Sequence, residues 1–324
     1  MRAVRLAGAE RLEVVELPDP IPADGEVLVR VAACGICGSD LSCYKTGVFS
    51  GSVLGHEFAG FVASATDGFA EGTPVVVDPK MPCGACADCR SGAGYRCAEG
   101  LARGMGGTRN GAYAELVAAP VHSVYRLPPG LGVEDACLVE PLSVAIHGVG
   151  KAGPPAAEAV VVGLGPIGLL AVAALRAAGC ATVTGVDPVE IRRTLASSLG
   201  ATAVVHRVED APADVPLVLE CSGRAEMVQA STNLLGSGGR AVLLGVPMTE
   251  ATVVPMVWVT REQTVVGAIS SSEEDFVEAI ALLATRPEIA GIITRRVSLD
   301  ELPSAFEDLI HQPADGKVVV DPTR

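Results

Sequence analysis

The chain has 324 residues, 49% of them hydrophobic, and a formal net charge of −14. That length suggests about two domains with real apolar cores, and the acidic balance argues against a nucleic-acid surface. The opening Met1-Arg2-Ala3-Val4-Arg5-Leu6 lacks the apolar core of a signal peptide, and Gly and Pro break the longest apolar stretches, so a cytoplasmic protein without a membrane span is expected.

The ten cysteines are clustered, which favours thiolate–metal chemistry in a reducing compartment over a disulfide framework. In chain order, Leu12 to Leu17 and Glu26 to Ala32 read as two strands, separated by Pro18, Pro20, Pro22 and Gly25. Cys34-Gly35-Ile36-Cys37-Gly38-Ser39-Asp40 follows, and after a loop comes Gly55-His56-Glu57-Phe58-Ala59-Gly60. Cysteine, histidine and carboxylate are the usual ligands of a zinc that keeps an open position. Taken singly, a cysteine is more often buried packing, and a histidine is often a satisfied core residue.

Next comes Pro82-Cys83-Gly84-Ala85-Cys86-Ala87-Asp88-Cys89, continuing to Arg96-Cys97. Four thiolates from one loop close a tetrahedral shell and leave no position for a substrate, the arrangement of a structural zinc. The loop is rich in Gly, Ala and Asp and has no apolar pattern to fold it, so metal binding would supply the folding energy. An iron–sulfur cluster is the rival occupant.

Gly111 to Val117 reads as a strand returning to the first domain, and Cys137 to Gly148 as the start of a helix, with Glu140 just before an N1-type Pro141. The run Ala159-Val160-Val161-Val162 then ends in Gly163-Leu164-Gly165-Pro166-Ile167-Gly168, followed by a helical Leu169 to Ala178. Strand, tight glycine turn and helix make a dinucleotide site: the helix N-terminus offers free N–H groups to a pyrophosphate. Thr182 to Val186 reads as the next strand and ends at Asp187, an acid placed to accept from a ribose 2′-OH. Strand segments at 203–205, 217–223, 240–247 and 264–267 alternate with helical 225–235 and 273–283, which specifies a parallel sheet covered by helices. Ligands bind at the C-terminal strand ends of such sheets, so Cys221, Ser222, Gly245 and Val246 join the glycine turn as candidate cofactor contacts. The tail, Arg295 to Val320, returns to the first domain through Lys317 to Val320.

The order Cys37-Gly38-Ser39-Asp40, Gly55-His56-Glu57, four-cysteine loop, Glu140-Pro141-Leu142, glycine turn with Asp187, Cys221-Ser222-Gly223 and Gly316-Lys317-Val318-Val319 resembles the zinc-dependent medium-chain alcohol dehydrogenase family over essentially the full chain. Glu-Pro-Leu at 140–142 gives the nearest resemblance to its polyol (sorbitol-type) and threonine dehydrogenase branch. The resemblance implies an α/β protein: a GroES-like, β-rich catalytic domain (1–143 and 288–324) carrying both zincs, an inserted Rossmann domain with a doubly wound parallel sheet (144–287), and a cleft between them. It assigns Cys37 and His56 as catalytic-zinc ligands, with Glu57 and Glu140 ligating directly or through water, and Ser39 as the hydroxyl that takes the substrate proton. By the same resemblance Cys83, Cys86, Cys89 and Cys97 would hold the structural zinc, and Arg192 resembles the basic contact to the adenosine ribose. The expected activity is hydride transfer from a polar secondary alcohol to NAD by a homodimer or homotetramer with two zincs per chain. A reductase using NADPH on a ketone, imine or conjugated carbonyl is the alternative. Two departures stand out: the chain is short for the family, and Ser42 stands where many members have the histidine that ends the proton relay. Cys34 and Cys43 near the site are expected to be buried packing.

Overall fold

The computed structural model describes residues 1–66, 68–311 and 316–324. Residues 312–315, within the tail expected to return to the first domain, lie outside the described residues. The chain separates into two compact units, one of Met1–Glu140, Leu283–Pro313 and Lys317–Arg324, the other of Pro141–Leu282 and Ala314–Gly316.

The first unit is built around the strand Glu26–Gly35, whose residues alternate between core and surface over most of its length, as a half-buried strand requires. It pairs antiparallel with Glu57–Val62, with Leu116–Pro120 and with the returning strand Lys317–Val320. The register sets Gly35 opposite both Glu57 and Val319, so three remote segments meet at one strand end. Val4, Val29, Val31, Phe58, Tyr113, Phe306 and Val318 form its core. Two details depart from the sequence reading. The strand expected at Gly111 to Val117 forms only over Leu116–Pro120, because residues 111–113 spend their N–H groups on Val53, Leu54 and Gly55 carbonyls. And a nine-residue helix, Gly38–Thr46, follows the first cysteine motif where a loop was read. Its pattern is nearly all polar, so apolar periodicity gives no sign of it.

The second unit is a parallel six-stranded sheet in the order Ala203–Val205, Thr182–Val186, Glu158–Val162, Val215–Glu220, Leu235–Leu243, Thr264–Gly267. This is the doubly wound order, and it reverses beside Glu158–Val162. Val160 and Val161 are fully buried, which explains the unbroken apolar run in the sequence. The helix Pro166–Ala177 begins straight after the glycine turn. The helix containing Glu140 runs Val139–Lys151 after a 3₁₀ turn at Ala136–Leu138, so Glu140 sits in the first helical turn and Pro141 is not its first residue. No helix among the described residues is long and apolar enough to cross a membrane.

Candidate functional site

In the first unit, the ligand atoms of Cys37, His56 and Glu57 all lie within 4.8 Å of one another. Each is delivered by the end of a regular element. Cys37 caps the helix Gly38–Thr46, His56 immediately precedes the strand Glu57–Val62, and Glu57 is the first residue of that strand. Asp40, in the first turn of the helix, ties these together. Its Oδ2 accepts the Cys37 N–H at 3.0 Å and the Tyr113 hydroxyl at 2.7 Å, and its Oδ1 lies 3.5 Å from His56 Nδ1. Burial works against a charge on His56, but Asp40 and Cys37 outweigh it and hold the imidazole pKa well above its ordinary value. The S, N and O donors gathered here are those of zinc.

Glu57 and Glu140 differ in their surroundings. Glu57, 1% exposed, forms an ion pair through Oε2 with the equally buried Lys317, whose ammonium also donates to the Ile36 carbonyl at 2.9 Å. A Cβ on Gly35 would overlap Glu57 Oε2 and lie 2.6 Å from Lys317 Cε, so only glycine leaves room for this pair. Glu140 is not among the three residues whose ligand atoms converge. Burial raises its carboxyl pKa to about 7, with His56, Lys80 and Lys317 pulling it down and Glu57 pushing it up. Ser39 is exposed in the first turn of the helix after Cys37, while the Ser42 hydroxyl donates to the Gly38 carbonyl at 3.1 Å. Cys34 is buried, as expected of packing, and Cys43 is half-buried.

The four-cysteine loop forms a second cluster, with the ligand atoms of Cys83, Cys86, Cys89 and Cys97 within 4.8 Å of one another. Backbone N–H groups point at the sulfurs: Cys83 and Gly100 donate to Cys97 at 3.4 and 3.3 Å, and Cys86 donates to Cys83 at 3.3 Å. Those from Cys83 and Gly100 bring the Cys97 thiol down to about 6. Short helices at Ala87–Arg90 and Ala98–Arg103 start from Cys86 and Cys97, and Arg96 braces Asp88 through two nitrogens at 3.1 and 2.7 Å. The loop supplies thiolates and N–H···S support for a metal that would hold it closed.

In the second unit, Gly163 has φ +87°, and a Cβ there would lie 2.6 Å from Ser222 Cα. A Cβ on Gly168 would overlap the Gly163 carbonyl, whereas one on Gly165 would meet nothing within 4 Å. Two glycines are thus demanded by packing, and the third leaves an open approach to the backbone, where a pyrophosphate fits. Leu164 is buried, and Pro166 and Ile167 open the following helix. Asp187, 4% exposed, is already engaged: Oδ2 accepts from Leu164 N–H at 2.9 Å and Oδ1 from Val189 N–H at 2.8 Å. Arg192 Nη1 lies 3.8 Å from its Oδ2, and Arg193 donates to the Asp187 carbonyl at 2.7 Å. Ser222 gives its N–H, at 2.8 Å, and its hydroxyl to the buried Glu220 carboxylate. Gly245 packs against Glu220 Oε2, where a Cβ would come within 2.6 Å, and Val246 is exposed beyond it. Cys221 is half-buried and donates its N–H to Val162.

Asp40, Tyr113, Lys317 and Glu220 escape the sequence reading as site residues. Asp40 alone had a usable signal, three residues after Cys37, where an acidic N3 side chain reaches back to the cap N–H.

Residues 23–129 match the family model described as alcohol dehydrogenase GroES-like domain, and residues 133–321 match that described as glucose dehydrogenase C-terminus. D-altritol 5-dehydrogenase of Agrobacterium fabrum is 33% identical, over 98% of both chains. Sorbitol dehydrogenase of Bacillus subtilis is 28% identical over 100% of this chain and 98% of its own. Among solved structures, a chain assigned as a zinc-binding dehydrogenase from Sinorhizobium meliloti, bound to NADP, superposes with a TM-score of 0.90 at 34% identity over 99% of both chains. Galactitol-1-phosphate dehydrogenase from Escherichia coli gives 0.89 at 26% identity, over 99% of this chain and 100% of that one.

Proposed function

The chain belongs to the zinc-type alcohol dehydrogenase family, an oxidoreductase family, and we propose that it transfers a hydride between a polar secondary alcohol of the polyol or sugar-derived class and NAD. The observation that carries this reading is the convergence of Cys37, His56 and Glu57 within 4.8 Å, separate from the closed four-cysteine cluster. A mixed S, N, O set with a carboxylate makes a harder site than an all-thiolate one and suits oxygen ligands. The relatives named for D-altritol and sorbitol support the same substrate class.

Cys37, His56 and one carboxylate would hold the catalytic zinc, and Cys83, Cys86, Cys89 and Cys97 the structural one, giving two per chain. Bound in these places, zinc supplies Lewis acidity that eases loss of the alcohol proton, and the nicotinamide supplies the hydride acceptor. The chain's own residues do the rest. Ser39 Oγ, two residues beyond Cys37, takes the proton from the reacting hydroxyl. Ser42 Oγ is turned onto the Gly38 carbonyl, so the proton leaves from Ser39 by another route. Lys317 engages Glu57 and fixes its carboxylate at the strand end. In the nucleotide unit, Gly163 to Gly168 receive the pyrophosphate, and Arg192 flanks the adenosine ribose. Asp187 keeps one free lone pair on each oxygen for the ribose hydroxyls, since each accepts one backbone N–H. Cys221, Ser222, Gly245 and Val246 line the nicotinamide end.

A reductase using NADPH is the second reading. The NADP bound to the Sinorhizobium meliloti relative and the two arginines beside Asp187 favour it. We place the protein in the cytoplasm as a homodimer or homotetramer. Support for assembly comes from Met248, Val254, Met256 and Val259, exposed apolar residues in and before the helix Pro255–Thr260, beside the edge strand Thr264–Gly267. A screen of polyols, sugar acids, amino alcohols and simple alcohols, read at the nicotinamide absorbance with each cofactor, tests the assignment. Turnover of long-chain primary alcohols faster than any polyol would reject it.

A further inference from the structure

We infer that Tyr113 is a positioning residue for the catalytic metal: its buried hydroxyl sets the rotation of the Asp40 carboxylate that orients both Cys37 and His56. The inference rests on the reading of Cys37 and His56 as metal ligands.

Three contacts fix where the Tyr113 hydroxyl stands. Its backbone is held on both sides, the N–H donating to Leu54 O at 3.0 Å and the carbonyl accepting from Val4 N at 2.7 Å. Its ring lies on the backbone of Gly55, the residue before His56. Gly55 has φ +91°, and a Cβ there would come within 2.7 and 2.8 Å of Tyr113 Cδ1 and Cε1. The ring also meets Phe306 edge to face, with centroids 6.0 Å apart. Packed this way and 0% exposed, the side chain holds its hydroxyl 2.7 Å from Asp40 Oδ2, with the Gly35 carbonyl as a longer second acceptor at 3.4 Å.

That oxygen also accepts the Cys37 N–H at 3.0 Å, which leaves Oδ1 turned toward His56 Nδ1 at 3.5 Å. The carboxylate therefore has its two oxygens assigned to different tasks. Oδ2 anchors the helix cap that carries the thiol, and Oδ1 holds the imidazole by Nδ1, so that Nε2 is left as the ligand atom. Without the Tyr113 hydroxyl, a single N–H would hold Oδ2. Asp40 is 2% exposed, so bulk water is not there to replace the lost donor, and the carboxylate would be freer to rotate away from His56. Outer partners of this kind act on affinity and activity through the ligands they orient, typically by 10–100-fold. Tyr113 stands one step further out, and an effect of about tenfold, at the lower end of that range, follows.

The experiment uses zinc-loaded full-length protein and a chromophoric chelator to titrate each zinc. Tyr113→Phe, which keeps the ring, should weaken one of the two zincs about tenfold and leave the other unchanged. kcat should fall with little change in the KM for the cofactor, and cobalt substituted at the weakened site should show a shifted visible spectrum. Val27→Ala is the packing control: it thins the same core at the end of the strand Glu26–Gly35 opposite Gly35, makes none of the contacts that fix the hydroxyl, and should lower Tm without altering zinc affinity. Unchanged affinities in Tyr113→Phe would overturn the inference, as would equal weakening in Val27→Ala. Cys37→Ser separates the underlying reading: it should retain one zinc per chain, and retention of two would show that Cys37 is not a ligand at all.

Discussion

The buried pair of Glu57 and Lys317 offers a quantitative test of how the first unit holds its candidate metal pocket. Both side chains are 1% exposed, and the lysine also satisfies the Ile36 carbonyl next to Cys37. Lys317→Met keeps the length and apolar stem but removes the charge, leaving the Glu57 carboxylate without its counter-ion in a site that water does not reach. Breaking a buried pair from one side costs about 3–5 kcal/mol. With about 2–4 °C of Tm per kcal/mol for a unit of this size, the metal-free protein should melt roughly 6–20 °C lower. Zinc beside Glu57 would replace part of the missing positive charge, so the drop should be smaller in zinc-loaded protein. Calorimetry of wild type and variant at matched metal content reads both numbers. The double variant Glu57→Leu/Lys317→Met should recover most of the loss, because apolar residues of similar volume often replace a buried pair at little cost. A metal-free Lys317→Met that melts with the wild type, or a double variant no better than the single one, would refute the reasoning.

The two cysteine sites should fail in different ways. Cys37→Ser or His56→Ala should abolish turnover in a folded protein, whereas Cys86→Ser or Cys89→Ser should lower Tm or solubility; metal analysis giving iron in place of two zincs would remove the structural-zinc assignment. Ser39→Ala should lower kcat/KM by about 10²-fold, the range of positioned proton transfer. Ser42→Ala should cost far less, since that hydroxyl serves the Gly38 carbonyl; equal losses measured across pH 6 to 10 would make Ser42 an obligatory relay member. Asp187 should give NAD the higher kcat/KM while Arg192 and Arg193 keep NADP usable; a clear NADP preference would favour the reductase reading.

The parts legible in the sequence are those whose physics is local. The glycine turn after a valine run could be read because a strand buried on both faces is apolar throughout, and because a close helix–strand junction excludes side chains at Gly163 and Gly168. The four-cysteine loop was readable for the same reason: all its ligands come from one short segment that has no other means of folding. The helix Gly38–Thr46 was not, since it lacks an apolar stripe and is held by its cap and by tertiary contacts. Sequence named Glu57 and Glu140 as equals, and local pattern had no means of separating them. The register that sets Gly35 opposite both Glu57 and Val319 brings Lys317, from the far end of the chain, onto one of them. Asp40 reaches His56 and Tyr113 only through antiparallel pairing and the close approach of Gly55 to an aromatic ring. Residue types with the chemistry of a metal site are written in the chain, while the pairing of Glu57 with Lys317 and the choice of which imidazole nitrogen is held belong to contacts between segments up to 281 positions apart, set by strand register and core packing.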